Sequence, residues 1–297
     1  MGKDTRNKQG KRRKRNKNKG LFLVVFFTIM GFLFIAFGSM MLLFNVEEVV
    51  VEGNIHYTKE EIEKKVLTDY VSENTILASL FKRNEKIEGL RFVDSVQINF
   101  VNQNKICIVV NEKDVVGYIE DGEKCYYFNY DGLIEEVTKG PVLTVEERER
   151  IEANKNNQSA GAENQDGITA YIEETPLKHF VPLVKGLNYT IEETEDGSKL
   201  VVDNFTIFNT LASLKKMLNK DSLPPEYVFV DKDYNISLFY EDIEVRLGKD
   251  VDLENKVATL AAIMPKIENM SGTLILENYS TTQNGVIFQR KDVEVAE

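Results

Sequence analysis

The stretch VVVEGNIHYTKEEI, Val49–Ile62, sets a short strand, a turn and a helix start in immediate succession. Val49 and Val51 share one face of the strand and Val50 the other, as the two-residue period of extended chain requires. Gly53-Asn54 supplies residues that tolerate positive φ and so turns the chain. Thr58 can cap the following helix, with Glu61 three positions on to close a capping box. Tyr57 and Ile62 stand where a hydrophobic staple would form. Ile62, Val66 and Tyr70 continue one apolar stripe at i, i+4 and i+8.

Downstream, ENTILASLFKRNEKIEGLRF reads as a turn and a second helix, Lys82–Gly89. Two strands follow: VDSVQINFV, with Val96, Ile98 and Phe100 alternating, and KICIVVNE, Lys105–Glu112. Asn102-Gln103-Asn104 is the hairpin tip between them. The order β-α-α-β-β makes a helix-on-sheet module.

Just upstream lies LFLVVFFTIMGFLFIAFGSMMLLF, Leu21–Phe44, with no charged residue. As a helix this run rises roughly 36 Å, enough to cross a hydrocarbon core of about 30 Å with some tilt. A signal peptide would have a shorter apolar part and a small-residue cleavage site. This run is longer and ends in Met41-Leu42-Leu43-Phe44, so an uncleaved single-pass anchor is expected. Of 37 basic and 48 acidic residues, ten and one respectively fall in residues 1–20; the remaining 27 and 47 leave a body of net charge −20. Basic residues beside a span stay cytoplasmic, which puts the amino terminus inside and residues 45–297 outside the cytoplasmic membrane. The basic head has no aromatic residue for base stacking, and topology plus attraction to anionic lipid accounts for it. No nucleic-acid partner is expected.

Beyond the first module, FTIFNTLASLKKML carries Phe208, Leu211, Leu214 and Leu218 at helical spacing, with Asp203 or Asn204 as cap. EYVFVDKDYNISLFYEDIEVRLG reads as three short strands broken at Asp231–Tyr234 and Glu241-Asp242. A helix is expected from Asp252 to Met264, with Pro265 just beyond. GTLILEN and NGVIFQR read as closing strands joined by a polar loop, Tyr279–Gln283. The class is therefore α+β throughout. Thr144–Thr169 is nearly devoid of large apolar residues and reads as an inserted surface segment, with a transient exposed helix at Val145–Ala153 and a mobile remainder. Cys107 and Cys125 lie in strand-like sequence outside the membrane, where they can be small core residues or a disulfide, depending on register.

These features together resemble the FtsQ/DivIB family of bacterial cell-division proteins. The β-α-α-β-β order just beyond a single span is similar to that family's POTRA domain, and Val51-Glu52-Gly53-Asn54 matches its Val-x-Gly-Asn signature. Asn111–Tyr118 keeps the Glu-basic pair of the family's closing stretch but not its proline. Tyr126–Ile134, VPLVKGL (Val181–Leu187), IEVRLG (Ile243–Gly248) and SGTLILEN (Ser271–Asn278) follow the family's later motifs in order. Asn129, Ile275 and Glu277 depart from its usual residues. The resemblance implies a basic cytoplasmic tail (1–20), a transmembrane helix (21–44), a POTRA domain (45–114), a β domain (115–290) carrying the 144–169 insertion, and a short tail (291–297).

For function, no nucleophile elbow, His-Glu-x-x-His pair or phosphate-binding lysine loop is present in the sequence. His56 and His179 read as surface residues, and no catalytic group, cofactor, metal or small-molecule substrate is expected. GVIFQR, Gly285–Arg290, reads equally as a core strand or as a sheet edge that a partner strand could complete, with Ile287 and Gln289 on one side and Val286 and Phe288 on the other. The resemblance implies the edge. It points to Ile275, Leu276, Glu277 and Asn278 on the penultimate strand and Val286, Ile287, Phe288 and Gln289 on the last. It also implies the FtsL and FtsB/DivIC pair as partners, at the division septum and beside the septal wall synthase complex. Val51, Gly53 and Asn54 are implied to aid localisation or to be structural. A contrasting expectation is a membrane-anchored wall hydrolase or sensor built on the acidic second domain.

Overall fold

The computed structural model describes residues 17–81, 86–87, 89–160, 177–195, 197–279 and 286–291. Most of the expected basic tail, the last part of the 144–169 insertion, Gly285 and all but the first residue of the 291–297 tail lie outside the described residues. So does most of the polar loop Tyr279–Gln283.

Helix α1, Lys17–Leu43, contains a window, Gly20–Leu43, long and apolar enough to cross a membrane, with none of it buried against the rest of the chain. Beyond it come β1 (Glu48–Glu52), α2 (Lys59–Val66), α3 (Thr75–Phe81), β2 (Val93–Asn102) and β3 (Lys105–Glu112). The sheet order is β1-β3-β2, with β1 parallel to β3 and β2 antiparallel to it. Parallel neighbours need a crossover, and α2 and α3 supply it. Ile62, Val66 and Ala78 from the helices pack on Val96, Ile98, Ile106, Ile108 and Val110 of the sheet.

The start of α2 forms as its residues dictate. Thr58 Oγ1 accepts the Glu61 N–H at 3.2 Å, and Glu61 Oε2 accepts the Thr58 N–H at 2.8 Å, closing the capping box. Gly53 sits at φ +81°, where an added Cβ would collide with the Val110 carbonyl, so backbone geometry alone requires glycine.

Three local expectations need correction. The α2 stripe stops at Val66, and Tyr70 stands outside the helix with 83% of its surface exposed. The second helix is Thr75–Phe81, not Lys82–Gly89, because Asn74 Oδ1 accepts the Ile76 and Leu77 N–H groups (3.1 Å each) and starts the helix seven residues earlier. Lys86, Ile87 and Gly89 are non-helical, and the rest of the expected helix is outside the described residues. Phe100 does not continue the buried face of Val96 and Ile98; at the hairpin end it is exposed.

The second part is strand-rich. Strands β4 (Gly117–Asp121), β5 (Lys124–Phe128) and β6 (Ile134–Lys139) form an antiparallel meander, followed by α4 (Val145–Ala160). Next come β7 (Val184–Lys185), the hairpin β8 (Thr190–Thr194) and β9 (Gly197–Val201), then α5 (Thr206–Lys220). Strands β10 (Tyr227–Val230), β11 (Ile236–Tyr240) and β12 (Ile243–Gly248), helix α6 (Leu253–Ile267), and strands β13 (Gly272–Ile275) and β14 (Ile287–Arg290) complete it. A six-stranded sheet runs in the order β14-β13-β12-β11-β10-β7. Phe208, Leu211 and Leu214 of α5 and Val257 and Leu260 of α6 share one core with Val228, Leu238, Val245 and Leu274 of the sheet. Helix α6 runs past Met264 and takes Pro265 inside it, since Glu268 N–H still finds Met264 O. Asn204 Oδ1 accepts the Thr206 amide at the start of α5. Cys107 and Cys125 are separate free thiols, the first half-buried and the second buried.

The segment from Thr144 departs most from expectation. Thr144 is buried and builds a second capping box: its N–H donates to Glu147 Oε2 (2.7 Å) and its Oγ1 accepts the Glu147 N–H (3.2 Å). The Thr144 hydroxyl then donates to His179 O at 3.0 Å. Val145 N–H reaches Ile55 O (2.8 Å), and Arg148 donates to His56 O (2.8 Å) and meets Glu61 at 3.4 Å. The start of α4 is therefore a strut between the two modules and not an exposed helix.

Candidate partner-binding edge

Strand β14 is the last strand of the six-stranded sheet and pairs antiparallel with β13, Ile275 opposite Ile287 and Thr273 opposite Gln289. Just past the strand, the Lys291 N–H donates to Ser271 O at 3.0 Å. In an antiparallel strand the two main-chain polar groups of a residue point to the same side, and the side alternates along the chain. Ile287 and Gln289 therefore spend their main-chain groups on β13, while Phe288 and Arg290 turn theirs to the outer side, where no strand pairs among the described residues. The side chains alternate in the perpendicular direction. Phe288 and Val286 pack against the core, and Ile287 is 56% exposed.

The register carries this face across the sheet. Gln289, Thr273, Glu244, Phe239 and Tyr227 are successive cross-strand partners; Ile287, Ile275, Arg246, Ser237 and Phe229 form the adjacent row. Helices α5 and α6 cover the other face, so these two rows form an open one. Near the edge, Arg246 grips Glu244 through two bonds (2.8 and 3.2 Å), which holds the guanidinium above its usual range. At the far end Tyr227 and Phe239 stack at 4.5 Å, and the Lys185 ammonium lies 4.1 Å from the Tyr227 ring centre. Only the edge strands were identified from sequence; the aromatic end was missed because its residues become neighbours through register alone.

The eight residues singled out on the last two strands divide sharply. Ile287 and Gln289 face outward on the edge strand, and Ile275 is half-buried on the open face beside them. Glu277 and Asn278 are exposed just past β13. Leu276 is fully buried and its N–H is bonded to Arg246 O, so it supports the edge from inside. Val286 and Phe288 are likewise packed inward, although the Phe288 main chain faces out.

Behind the edge, Lys256 is buried with its ammonium on Leu247 O (2.7 Å) and Lys249 O (3.1 Å) at the end of β12. Burial pulls its pKa down, against the pull of Asp252, Asp250 and Glu277 upward. It holds the sheet end in place and is turned away from the open face.

The profile described as POTRA domain, FtsQ-type, matches residues 44–113, which are the β1–β3 module and the last residues before it. The chain is also similar to the cell division protein DivIB of Clostridium tetani (strain Massachusetts / E88), at 23% identity over 233 residues, covering 77% of this chain and 73% of that protein. The POTRA match and the DivIB similarity together support the FtsQ/DivIB family. Within that frame, the signature residues have visible structural roles: Val51 packs in the POTRA core, Gly53 makes its turn, and Asn54 Nδ2 donates to Tyr57 O at 2.8 Å.

Inside the POTRA module, a histidine that sequence placed at the surface ties the turn after β1 to β3. His56 is 6% exposed, stacks on Phe92 at 4.2 Å between ring centres and meets Glu112 Oε2 through Nδ1 at 2.5 Å. Glu112 Oε1 also accepts the Ile55 and His56 N–H groups, at 2.7 and 2.9 Å. The turn from Gly53 delivers His56 onto β3, a long-range pairing that no local pattern signals. His179, as expected, remains on the surface, paired with Glu146 at 2.8 Å. Among the described residues no group of three or more His, Cys, Asp or Glu side chains is arranged to hold a metal.

Proposed function

We propose that this protein is a non-enzymatic divisome component, anchored by α1 with its amino terminus inside. It holds the FtsL and FtsB/DivIC pair outside the cytoplasmic membrane and helps regulate septal peptidoglycan synthesis by the associated synthase complex. The observation that supports this reading is the open side of β14, where Phe288 and Arg290 present main-chain groups beside the exposed Ile287. An incoming strand would take its affinity from those groups and its selectivity from Ile287, Gln289 and the adjoining open face. The FtsQ-type POTRA match and the similarity to a DivIB cell division protein support the divisome role, and α1 supports the anchor.

The test is capture of the FtsL–DivIC ectodomain pair by the full chain in lipid nanodiscs, measured by interferometry. Arg290→Pro removes one outward donor, worth about 1 kcal/mol, and also obstructs close approach of the added strand. Binding should weaken by about tenfold or more. Unchanged capture by a folded Arg290→Pro variant would reject this edge. Release of fragments from purified peptidoglycan without any capture of the pair would instead favour the hydrolase reading.

A further inference from the structure

The end of α1 is bound directly to the POTRA module. Met40 O accepts from Asn74 Nδ2 (3.1 Å), Leu43 O from Gln103 Nε2 (2.7 Å), and Phe44 O from the Thr75 N–H (2.9 Å). The Leu43 and Phe44 carbonyls, left without a helical donor at the end of α1, are thus satisfied by the β2–β3 hairpin and the start of α3, while Met40 O, which also accepts the Phe44 N–H at 3.2 Å, gains a second donor. The Phe44 and Phe100 rings lie 6.4 Å apart, so the hairpin end sits beside the final turn of the helix.

That neighbourhood exposes large apolar side chains. Phe100 and Val101 on the hairpin are 46% and 49% exposed, and Leu80 and Phe81 at the end of α3 are 63% and 69% exposed. Helix α3 begins at the bonded Thr75, so Phe81 is within about 10 Å of that anchor along the helix axis. The apolar run Leu21–Phe44 rises roughly 36 Å against a hydrocarbon thickness of about 30 Å, which sets Met40–Phe44 at the boundary of the apolar layer. Rings and aliphatic chains held at that level meet lipid headgroups and upper acyl chains, where amphipathic and aromatic groups are favoured.

We infer that the POTRA module is itself a membrane-contacting surface. The hairpin end, Phe100 and Val101, and the end of α3, Leu80 and Phe81, rest in the interfacial layer of the leaflet where α1 ends. The module is thereby held against the bilayer at points beside the span, which restrains its swivel about α1. The inference rests on α1 being a retained span.

The test uses the full chain in phosphatidylcholine–phosphatidylglycerol nanodiscs, in a Cys107→Ala, Cys125→Ala background. Nitroxide labels are placed singly at Phe81, Val101, Phe32 within α1, and Val251, a 66% exposed residue of the second part. The ratio of collisions with oxygen to collisions with a nickel chelate should be severalfold higher at Phe81 and Val101 than at Val251, and should lie between those at Val251 and the mid-span Phe32. A ratio at either Phe81 or Val101 equal to that at Val251, with Phe32 reporting lipid, would overturn the surface and leave the anchor standing. Water exposure at Phe32 as well would overturn the anchor and the surface together.

Discussion

Two glutamates close matching loops on either side of the module junction. Glu112 accepts two consecutive main-chain N–H groups, of Ile55 and His56, and meets the His56 ring; Glu146 does the same for Lys178, His179 and the His179 ring. Between them sits Glu147, whose position beside Tyr118, Tyr127 and His56 has a measurable consequence. Burial raises the Glu147 pKa, against the bonds from Thr144 and the proximity of His56. A carboxyl group with a raised folded-state pKa contributes stability that is fully present below its unfolded value of about 4.3 and is lost as pH rises through the folded value. Glu147→Gln keeps an oxygen for the Thr144 capping box and removes the charge. The variant should melt higher than the parent at pH 7 and the same at pH 4, so the difference between them should grow with pH across the acid range. Calorimetric melts at several pH values check this, and a constant difference at all pH would rule out the buried charge as its cause.

At the scale of elements, β14 shows why the side of the ladder matters more than the presence of a strand. Ile287 N–H points into the pair with β13, whereas Arg290 N–H points away. Ile287→Pro should therefore detach the edge, costing about 2 kcal/mol through a lost ladder bond and an unmatched carbonyl partner. Arg290→Pro gives up only an exposed contact of the guanidinium to Met270 Sδ at 3.7 Å and should stay within about 0.5 kcal/mol of the parent, as surface changes do. Thermal melts and amide exchange at Thr273 and Ile275 distinguish the two. Equal losses in both variants would mean that the alternation is assigned to the wrong side. Much of this was legible in sequence, because period-two patterns expose the strands, and the Thr58–Glu61 spacing exposes the start of α2. The alternation of Ile287 and Gln289 against Val286 and Phe288 was legible for the same reason. The start of α3 was misplaced because a lone asparagine cap, Asn74, is a weaker local signal than a capping box. The edge's open side could not be read at all, since it depends on pairing with residues a loop away.

The whole molecule depends on a junction that sequence presented as an inserted surface segment. Low hydrophobicity across 144–169 hid the strut because its contacts are main-chain and polar: Val145 to Ile55, Arg148 to His56, Thr144 to His179. Apolar contact reinforces it where Phe92 of the POTRA side packs with Val115, Cys125 and Tyr127. If α1 holds one end and the β14 edge takes a partner at the other, the angle between modules sets where the partner stands relative to the bilayer. Arg148 is the test of that angle. Its ion pair with Glu61 is half-exposed and worth under about 1 kcal/mol, but its charged bond to His56 O contributes roughly 1.5 kcal/mol more. Arg148→Ala should leave both modules folded while opening the junction, so the Val145 amide should exchange about tenfold or more faster, as a loss of roughly 1.4 kcal/mol dictates. Amides in the centre of the POTRA sheet, such as Ile106 and Ile108, should keep the parent's rates. Uniform acceleration across both sets would show that Arg148 supports the POTRA fold itself, and no change at Val145 would show that the apolar cluster around Phe92 holds the junction without it.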